Sequence, residues 1–424
     1  MKKYIFLLLP LFLYSANFSD LIKSVDNNLL VKSKQEQSKA LKKLLSAKKA
    51  KNYPSVDFHL KAVRLYDTPT TTLHIPGLNH PLPVGTRTNL DASIAVTYPL
   101  FTGYAITNSI QIAKLKLIKN RLETKELKRE LYLKIASLYS GIYSLNQAIK
   151  ASNEAKTAIE KSYKKAKGLY DNGFINISNL YKIEAQKYEI ISSITSYKEQ
   201  KNSLINDILY ITNMKVDVKK LPNFTVSKKD LIPTALSQRA DIKAIKTQLK
   251  IDSKDIALAK SKYYPNIAIF GAIKRQGDDL SLDGNGFSNA DQSYIGATLN
   301  YNIFDGGEKS GERQAALAKK IARKLYFADY QRGVIKNIKN ALSRLKSLKS
   351  QLKAANKQVE ASESYYKLTS GRFENSLASG DELSRAIAEL AKTKAKKEDI
   401  KSKIFLQYAQ ISLMAGNNYF LRKL

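Results

Sequence analysis

No proline lies between Leu100 and Leu221, and none follows Pro265 in this chain of 424 residues. Proline removes a backbone donor and clashes with the preceding helical turn, so proline-free stretches of this length are what long helices require. The apolar pattern agrees. Leu131, Ile135, Leu138, Ile142, Leu145 and Ile149 step by fours and threes, and Val334, Ile338, Ala341, Leu345, Leu348 and Leu352 repeat the stepping 203 residues later. Both rows have the spacing of a coiled-coil seam. A helix from Thr102 to about Asn172 would be roughly 105 Å long at 1.5 Å per residue, more than one globular core can bury. It must pack lengthwise against other helices.

The offset of 203 is general. Tyr98, Phe101 and Gly103 in TYPLFTGYAITN answer Tyr301, Phe304 and Gly306 in YNIFDGGEKSG, and Gly168–Leu180 answers Gly371–Leu383. Upstream, Tyr53-Pro54 answers Tyr264-Pro265 at an offset of 211, so one connection is eight residues longer in the first copy. Markers in one order at fixed spacing define a tandem duplication. The expected division is a leader over 1–16, a first repeat over 17–211, a linker over 212–229 and a second repeat over 230–424. Each repeat holds a helix, a β-hairpin (about 53–101 and about 264–304) and long helices.

The duplication decides what Gly306 and Gly307 are for. Followed by Glu308, Lys309 and Ser310, they suggest a phosphate loop. The first copy has no lysine–serine pair there, and the full G-x-x-x-x-G-K-[ST] spacing is missing from both copies. Pro99, Phe101 and Gly103, with Phe304, Gly306 and Gly307, are therefore expected to form backbone corners where a strand turns into a helix, glycine supplying the dihedrals.

Within each hairpin the period falls to two. Val56, Phe58, Leu60 and Ala62 alternate with Ser55, Asp57, His59 and Lys61, and Leu90, Ala92, Ile94, Val96, Tyr98 and Leu100 form a second row. In the second copy Ile267, Ile269 and Ile273 share a face, and Ile295, Ala297, Leu299, Tyr301 and Ile303 make the matching row. Each strand is about 10 to 12 residues, the length of a tilted membrane-spanning strand. Four strands cannot close a barrel. Two open edges in lipid would leave unpaired groups at several kcal/mol each, more than the ~5 to 15 kcal/mol of a typical fold. Two, three or four chains would join into eight, twelve or sixteen strands, and arithmetic alone does not choose. The soluble alternative is two ordinary hairpins on a helical stalk.

The N-terminus, MKKYIFLLLPLFLYSA, has two lysines, a short apolar run and small residues, the layout of a secretory signal peptide cleaved near Ala16. A buried N-terminal helix is the alternative. Cysteine is absent, which excludes disulfides, thiolate metal sites and a cysteine nucleophile. The formal charge is +34. Its lysines are scattered along amphipathic segments without a nucleic-acid motif, so solvated helix faces, acidic lipid or an acidic partner account for it better than nucleic acid. His59, His74 and His80 lack a zinc spacing. No nucleophile motif is present, so no catalytic residue and no cofactor is expected.

At these markers the chain resembles the TolC-type outer-membrane efflux proteins (outer membrane factors). The resemblance rests on the two Tyr-Pro strand starts, the Pro-Leu-Phe-x-Gly corner at Pro99–Gly103, its relative at Ile303–Gly307, and QRADI at Gln238–Ile242, where Ala240 replaces the family's proline. It implies an α+β membrane protein: a homotrimer whose twelve-stranded outer-membrane β-barrel, four strands per chain, continues into a long α-helical coiled-coil tunnel through the periplasm. It further implies a passive conduit serving a periplasmic adaptor (membrane fusion) protein and an inner-membrane transporter, most often for small toxic compounds or drugs. A type I protein secretion channel, or a basic helical envelope protein with no channel, is the alternative. Adaptor docking is expected at the helix-to-helix turns, with Gly168, Asn172, Gly173 and Asn176 in the first and Gly371, Asn375, Ser376 and Gly380 in the second. Gly173 and Gly380 could simply break the helices. Many relatives carry acidic residues spaced i and i+3 at the periplasmic entrance. Here those positions hold Glu382 and Arg385, with Asn179 and Lys182 in the first copy, which implies a less cation-selective entrance, with Arg385 partly neutralising Glu382. A plain salt bridge between helices is the alternative.

Overall fold

Asn17 starts the first helix with a reciprocal cap: its side chain accepts from the Asp20 N–H, and the Asp20 carboxylate accepts from the Asn17 N–H. The structure, a computed structural model, describes residues 16–72, 81–223, 230–285 and 287–416. The expected leader before Ala16, residues 224–229 of the expected linker, and His74 and His80 lie outside the described residues.

The elements run α1 (Phe18–Ser24), a 3-10 turn (Val25–Asn27), α2 (Leu29–Ala50), β1 (Ser55–Arg64), β2 (Thr70–Thr72), β3 (Pro81–Pro83), β4 (Thr88–Thr102), α3 (Ala105–Asp171) and α4 (Ile177–Thr212). Then follow α5 (Leu231–Gln238), α6 (Ala240–Ser261), β5 (Asn266–Gly277), β6 (Tyr294–Asn300), α7 (Glu308–Glu374) and α8 (Gly380–Met414). The duplication is visible in these limits. Helices α2 and α6 coincide end to end at the offset of 211, and α3 and α7, each of 67 residues, coincide at 203.

The chain divides into two units, one of residues 1–36, 121–244 and 327–424, the other of residues 37–120 and 245–326. In the first unit the expected seams are buried. Ile135, Leu138 and Ile142 join Leu21, Val25 and Ile208 in one core, where the Phe18 ring meets Tyr139 at 4.9 Å and Phe405 at 5.6 Å, both edge-on. Val334, Ile338, Ala341 and Leu345 pack with Leu231, Ile242 and Ile411 in another. Leu145 and Ile149 are only half-buried, and the buried line passes to Ala148, Ala151 and Ala155. Small residues there let a neighbouring helix come close. The part of 212–229 that is described is no loose linker. Val216 bridges Ala16, Val216 and Val218 are buried, and Tyr139 Oη and Asn146 Nδ2 donate to the carbonyls of Lys220 and Val218 at 3.1 and 2.8 Å. Its alternating Met214, Val216 and Val218 bury one side of an extended segment.

The second unit carries a four-stranded antiparallel sheet in the order β1-β4-β5-β6, and a small β2-β3 ribbon. The two hairpins share one register: Ser55 faces Thr97 in the first, and Asn266 faces Asn300 in the second, which are the same positions shifted by 211 and 203. Strand β6 is shorter than the alternation suggests. It ends at Asn300 because β5 begins opposite it at Asn266, leaving Tyr301 and Ile303 of the expected row without a partner strand in the chain.

Candidate membrane face, corners and turns

The registers sort the strand residues onto two faces. One carries Val56, Phe58, Leu60 and Ala62, then Leu90, Ala92, Ile94, Val96 and Tyr98, then Ile267, Ile269 and Ile273, then Ile295, Ala297 and Leu299. Arg64, at the end of β1, and Arg275, near one end of β5, are cations of this face. The row is exposed rather than buried, Phe58 at 68% and Ile295 at 84%. The opposite face holds Asp57, His59, Lys61, Asn89, Asp91, Ser93 and Thr97, and the Asp91 carboxylate pairs with Lys274 at 3.0 Å. An apolar, exposed face backed by a polar one is the reverse of a soluble core. It is the pattern of a barrel strand with lipid outside and water inside.

At the first corner the β4–β5 register slips between Pro99 and Phe101. A bulge of this kind bends the strand. The Phe101 ring packs edge-on against Tyr104 at 5.4 Å and Tyr264 at 6.3 Å. Gly103 has a φ of +58°, and a Cβ there would lie 2.4 Å from the Ser261 carbonyl oxygen. Tyr104 takes a positive φ as well, +68°. In the second corner Gly306 and Gly307, at +64° and +95°, turn the chain in open space, and Phe304 is 85% exposed. Asp305 accepts from the N–H groups of Gly307 and Lys309, both at 3.1 Å, and Lys309 Nζ reaches the Asn302 carbonyl at 2.6 Å. The residues that suggested a phosphate loop are thus bonded to their own corner.

The two helix-to-helix turns, both in the first unit, repeat one design. Asn172 and Asn375 donate side-chain bonds to the carbonyls of Gly168 and Gly371, at 2.7 and 2.8 Å. Gly173 turns the chain at a φ of +79°, and Ser376, its counterpart, does so at +59°. Asn176 caps α4 and Ser379 caps α8. Gly380 does not break a helix. It opens α8, buried, where a Cβ would stand 2.4 Å from Ile183 Cδ1, so its absent side chain lets α4 and α8 meet. Between the turns lies a cleft of about 180 Å³ lined by Leu169, Phe174, Ile183 and Phe373 among others.

The residues expected at the entrance sit at this level. Arg385 pairs with Asp381, not with Glu382, and Glu382 accepts from Arg372 at 3.2 Å. Both carboxylates are within helical reach of Arg385, Asp381 at i,i+4 and Glu382 at i,i+3, and Glu382 is the one taken by Arg372 from α7. Asn179 is half-buried and Lys182 exposed. Sequence reasoning passed over Phe174 and Leu377, 203 residues apart, each an apolar side chain at a turn tip and exposed at 77% and 68%. Their signal was an apolar residue lodged among turn-forming asparagine, serine and glycine.

The family model described as outer membrane efflux protein matches residues 231–417, the second repeat. No curated protein matches the chain. Among solved structures, a membrane protein from Pseudomonas aeruginosa superposes with a TM-score of 0.82 at 14% identity, over 96% of this chain and 92% of its own. The outer membrane protein VceC from Vibrio cholerae gives 0.79 at 16%, over 94% and 96%. The CmeC outer membrane channel of Campylobacter jejuni gives 0.80 at 15%, over 94% and 84%. The fold is therefore that of the bacterial outer-membrane channels. The family domain thus covers the second repeat, and the first repeat holds a matching set of elements.

Proposed function

We propose that this chain is the outer-membrane channel of a tripartite export system, a passive conduit for small toxic compounds or drugs. Three copies join their sheets into one twelve-stranded barrel, and their long helices form the periplasmic tunnel. The carrying observation is the exposed apolar face, bounded by β1 and β6, which are sheet edges in the single chain. Such a surface needs lipid over its face and strands along its edges. The turns around Gly173 and Ser376, with Phe174 and Leu377 at their tips, are the docking sites for a periplasmic adaptor that joins the channel to an inner-membrane transporter. Glu382, Arg385, Asn179 and Lys182 border the entrance. The chain performs no chemistry, and the transporter supplies the energy.

The test uses the absence of cysteine. A single Asn176→Cys variant carrying a short photo-crosslinker is irradiated in intact cells, and the captured protein is identified by mass spectrometry. Capture of a periplasmic adaptor supports the docking turn, and the transporter partnered with it separates small-molecule efflux from polypeptide secretion. A protein extracted by salt without detergent, with no conductance in a planar bilayer, overturns the channel reading.

A further inference from the structure

The corners where strands meet helices treat charge differently in the two repeats. Past the end of α6, Lys262 Nζ donates to Glu308 at 3.1 Å and to Glu312 at 2.6 Å, both on α7. Lys309 pairs with Asp305 at 3.7 Å. The second corner thus closes its charges on itself. At the offsets of 211 and 203 the first repeat has Lys51, Ala105 and Ser109 in place of Lys262, Glu308 and Glu312. The lysine is kept and both carboxylates are gone.

The imbalance extends along both helices at the first corner. Gln37–Val56 holds six lysines and no carboxylate, and Pro99–Asn120 holds no carboxylate either. Helix α3 lies beside this part of α2: Asn120 accepts from Ser38 Oγ at 2.5 Å and donates to Gln37 at 2.8 Å. Helix α2 therefore ends without a counter-charge on its neighbour. Lys48, Lys49 and Lys51 are exposed, and none has an ion-pair partner among the described residues. The last carbonyls of a helix favour a cation, a need that α6 meets with Lys260 and α2 with its counterpart Lys49. Lys48, where α6 has Ala259, and the unpaired Lys51 go beyond it.

These lysines stand at the border of the apolar face. The N–H groups of Asn52 and Tyr53 bond to the carbonyls of Lys49 and Ala50, both at 3.0 Å, and β1 starts at Ser55. Tyr53 is exposed, and Val56 and Phe58 then open the apolar row. Lysines at such a border lay their stems along apolar surface and keep the ammonium in water or among headgroups, and tyrosines are enriched there. We propose that Lys48, Lys49 and Lys51 dock the headgroup of an anionic phospholipid in the leaflet next to the helices. This rests on the outer-membrane reading above and adds a lipid partner to it. Basic clusters flanking a membrane segment attract anionic lipid. A phosphodiester of net negative charge supplies the counter-charge that α3 lacks, whereas a zwitterionic headgroup brings an ammonium of its own. The second corner, with Lys262 and Lys309 already paired, draws less lipid.

Lipid selectivity tests the site on the full chain, reconstituted into phosphatidylcholine vesicles. Trace spin-labelled phosphatidylglycerol, phosphatidylcholine or lipopolysaccharide is added, and the motionally restricted fraction in the electron paramagnetic resonance spectrum reports which lipid the protein holds. Wild type should prefer phosphatidylglycerol to phosphatidylcholine several-fold, with the preference shrinking at about 1 M salt as charges are screened. The triple variant Lys48→Gln, Lys49→Gln, Lys51→Gln should lose the preference. Lys114→Gln with Lys116→Gln, exposed lysines further along α3, should keep it. No preference in wild type, or an equal one in the triple variant, overturns the site. Lipopolysaccharide held in place of phosphatidylglycerol, and released by the triple variant, assigns the lysines to the other leaflet and overturns it too. A triple variant that sizes as a monomer beside an oligomeric wild type shows that the lysines serve carboxylates of a neighbouring copy instead of lipid. Wild type that does not enter vesicles overturns the outer-membrane reading, and the site with it.

Discussion

The Arg239 guanidinium donates through Nε and Nη2 to both oxygens of the Asp241 carboxylate, and both side chains are more than nine-tenths buried. The pair is completed by Tyr330 Oη at 2.6 Å, by the Ile242 N–H at 2.8 Å and by the Met414 carbonyl, which accepts from Arg239 at 3.2 Å. Removing one partner leaves an uncompensated buried charge, so Arg239→Met should lower unfolding stability by about 3–5 kcal/mol, read as a lower denaturant midpoint. Burial alone would raise the Asp241 pKa, but hydrogen bonds from Arg239 and Tyr330, the Arg239 charge and the Ile242 N–H outweigh it and hold it below the ordinary value. A lowered carboxylate pKa gives stability that is present above the unfolded value of ~3.9 and is lost as pH falls through the folded value. Wild type should therefore weaken on acidification below about pH 4 more steeply than Asp241→Asn.

Gly103 and Gly168 separate two uses of glycine. At Gly103 an added Cβ meets the Ser261 carbonyl at 2.4 Å and Tyr264 Cβ at 2.9 Å on a left-handed backbone. The backbone alone costs about 1–2 kcal/mol for alanine, and the collision adds to it. Gly168 lies inside α3 with nothing within 4 Å of its Cβ position. Alanine there should be neutral or stabilising by up to about 1 kcal/mol. Thermal unfolding of Gly103→Ala and Gly168→Ala should move in opposite directions.

Neighbouring residues on β4 report the two faces. Ile94 faces Phe58 and Ile273 on the apolar side, and Ala95 faces Asp57 and Ala272 on the other. Arginine on the lipid face near the bilayer midplane costs about 2–4 kcal/mol. Ile94→Arg should sharply reduce the yield of membrane-inserted protein, and Ala95→Arg, beside Asp57, should leave it near wild type.

Long-range order was the legible part of this fold. The proline-free stretches, the two seams and the offsets of 203 and 211 were present in the letters, and the observed helix limits coincide at those offsets. The alternation at Val56–Ala62 and Leu90–Tyr98 showed which residues share a face, but the row does not run on to Leu100, because the bulge there puts Phe101 opposite Ile267. What stayed hidden depends on what lies opposite. Whether Tyr301 continues a strand is decided by a partner strand, and Asn266 is where β5 starts. Gly380 resembles a breaker in sequence, and only the nearness of Ile183 shows it to be a packing contact. The choice of Arg372 for Glu382, and of Asp381 for Arg385, is set by helix geometry at a turn whose shape the composition does not give.

That swap bears on ion selectivity. The second turn brings two carboxylates, Asp381 and Glu382, against two guanidiniums, Arg385 and Arg372, so its charge is balanced at close range. The first turn offers Asn179 and Lys182 at the matching positions, neither of them acidic, and Asp171 is the carboxylate at the end of α3. At Asn179, Lys182, Arg372, Asp381, Glu382 and Arg385 three cations stand against two carboxylates, so a ring of these positions from three copies would be weakly cationic rather than acidic. Rings of charged side chains set pore selectivity, so single channels in a salt gradient should show reversal potentials near zero or on the anion side. Arg372→Ala with Arg385→Ala uncovers both carboxylates and should move the reversal potential toward cation preference. Each exposed pair is worth only about 0–1 kcal/mol to folding, so the variant should reach the membrane in normal amounts. Strong cation selectivity in the wild type would contradict the balanced entrance.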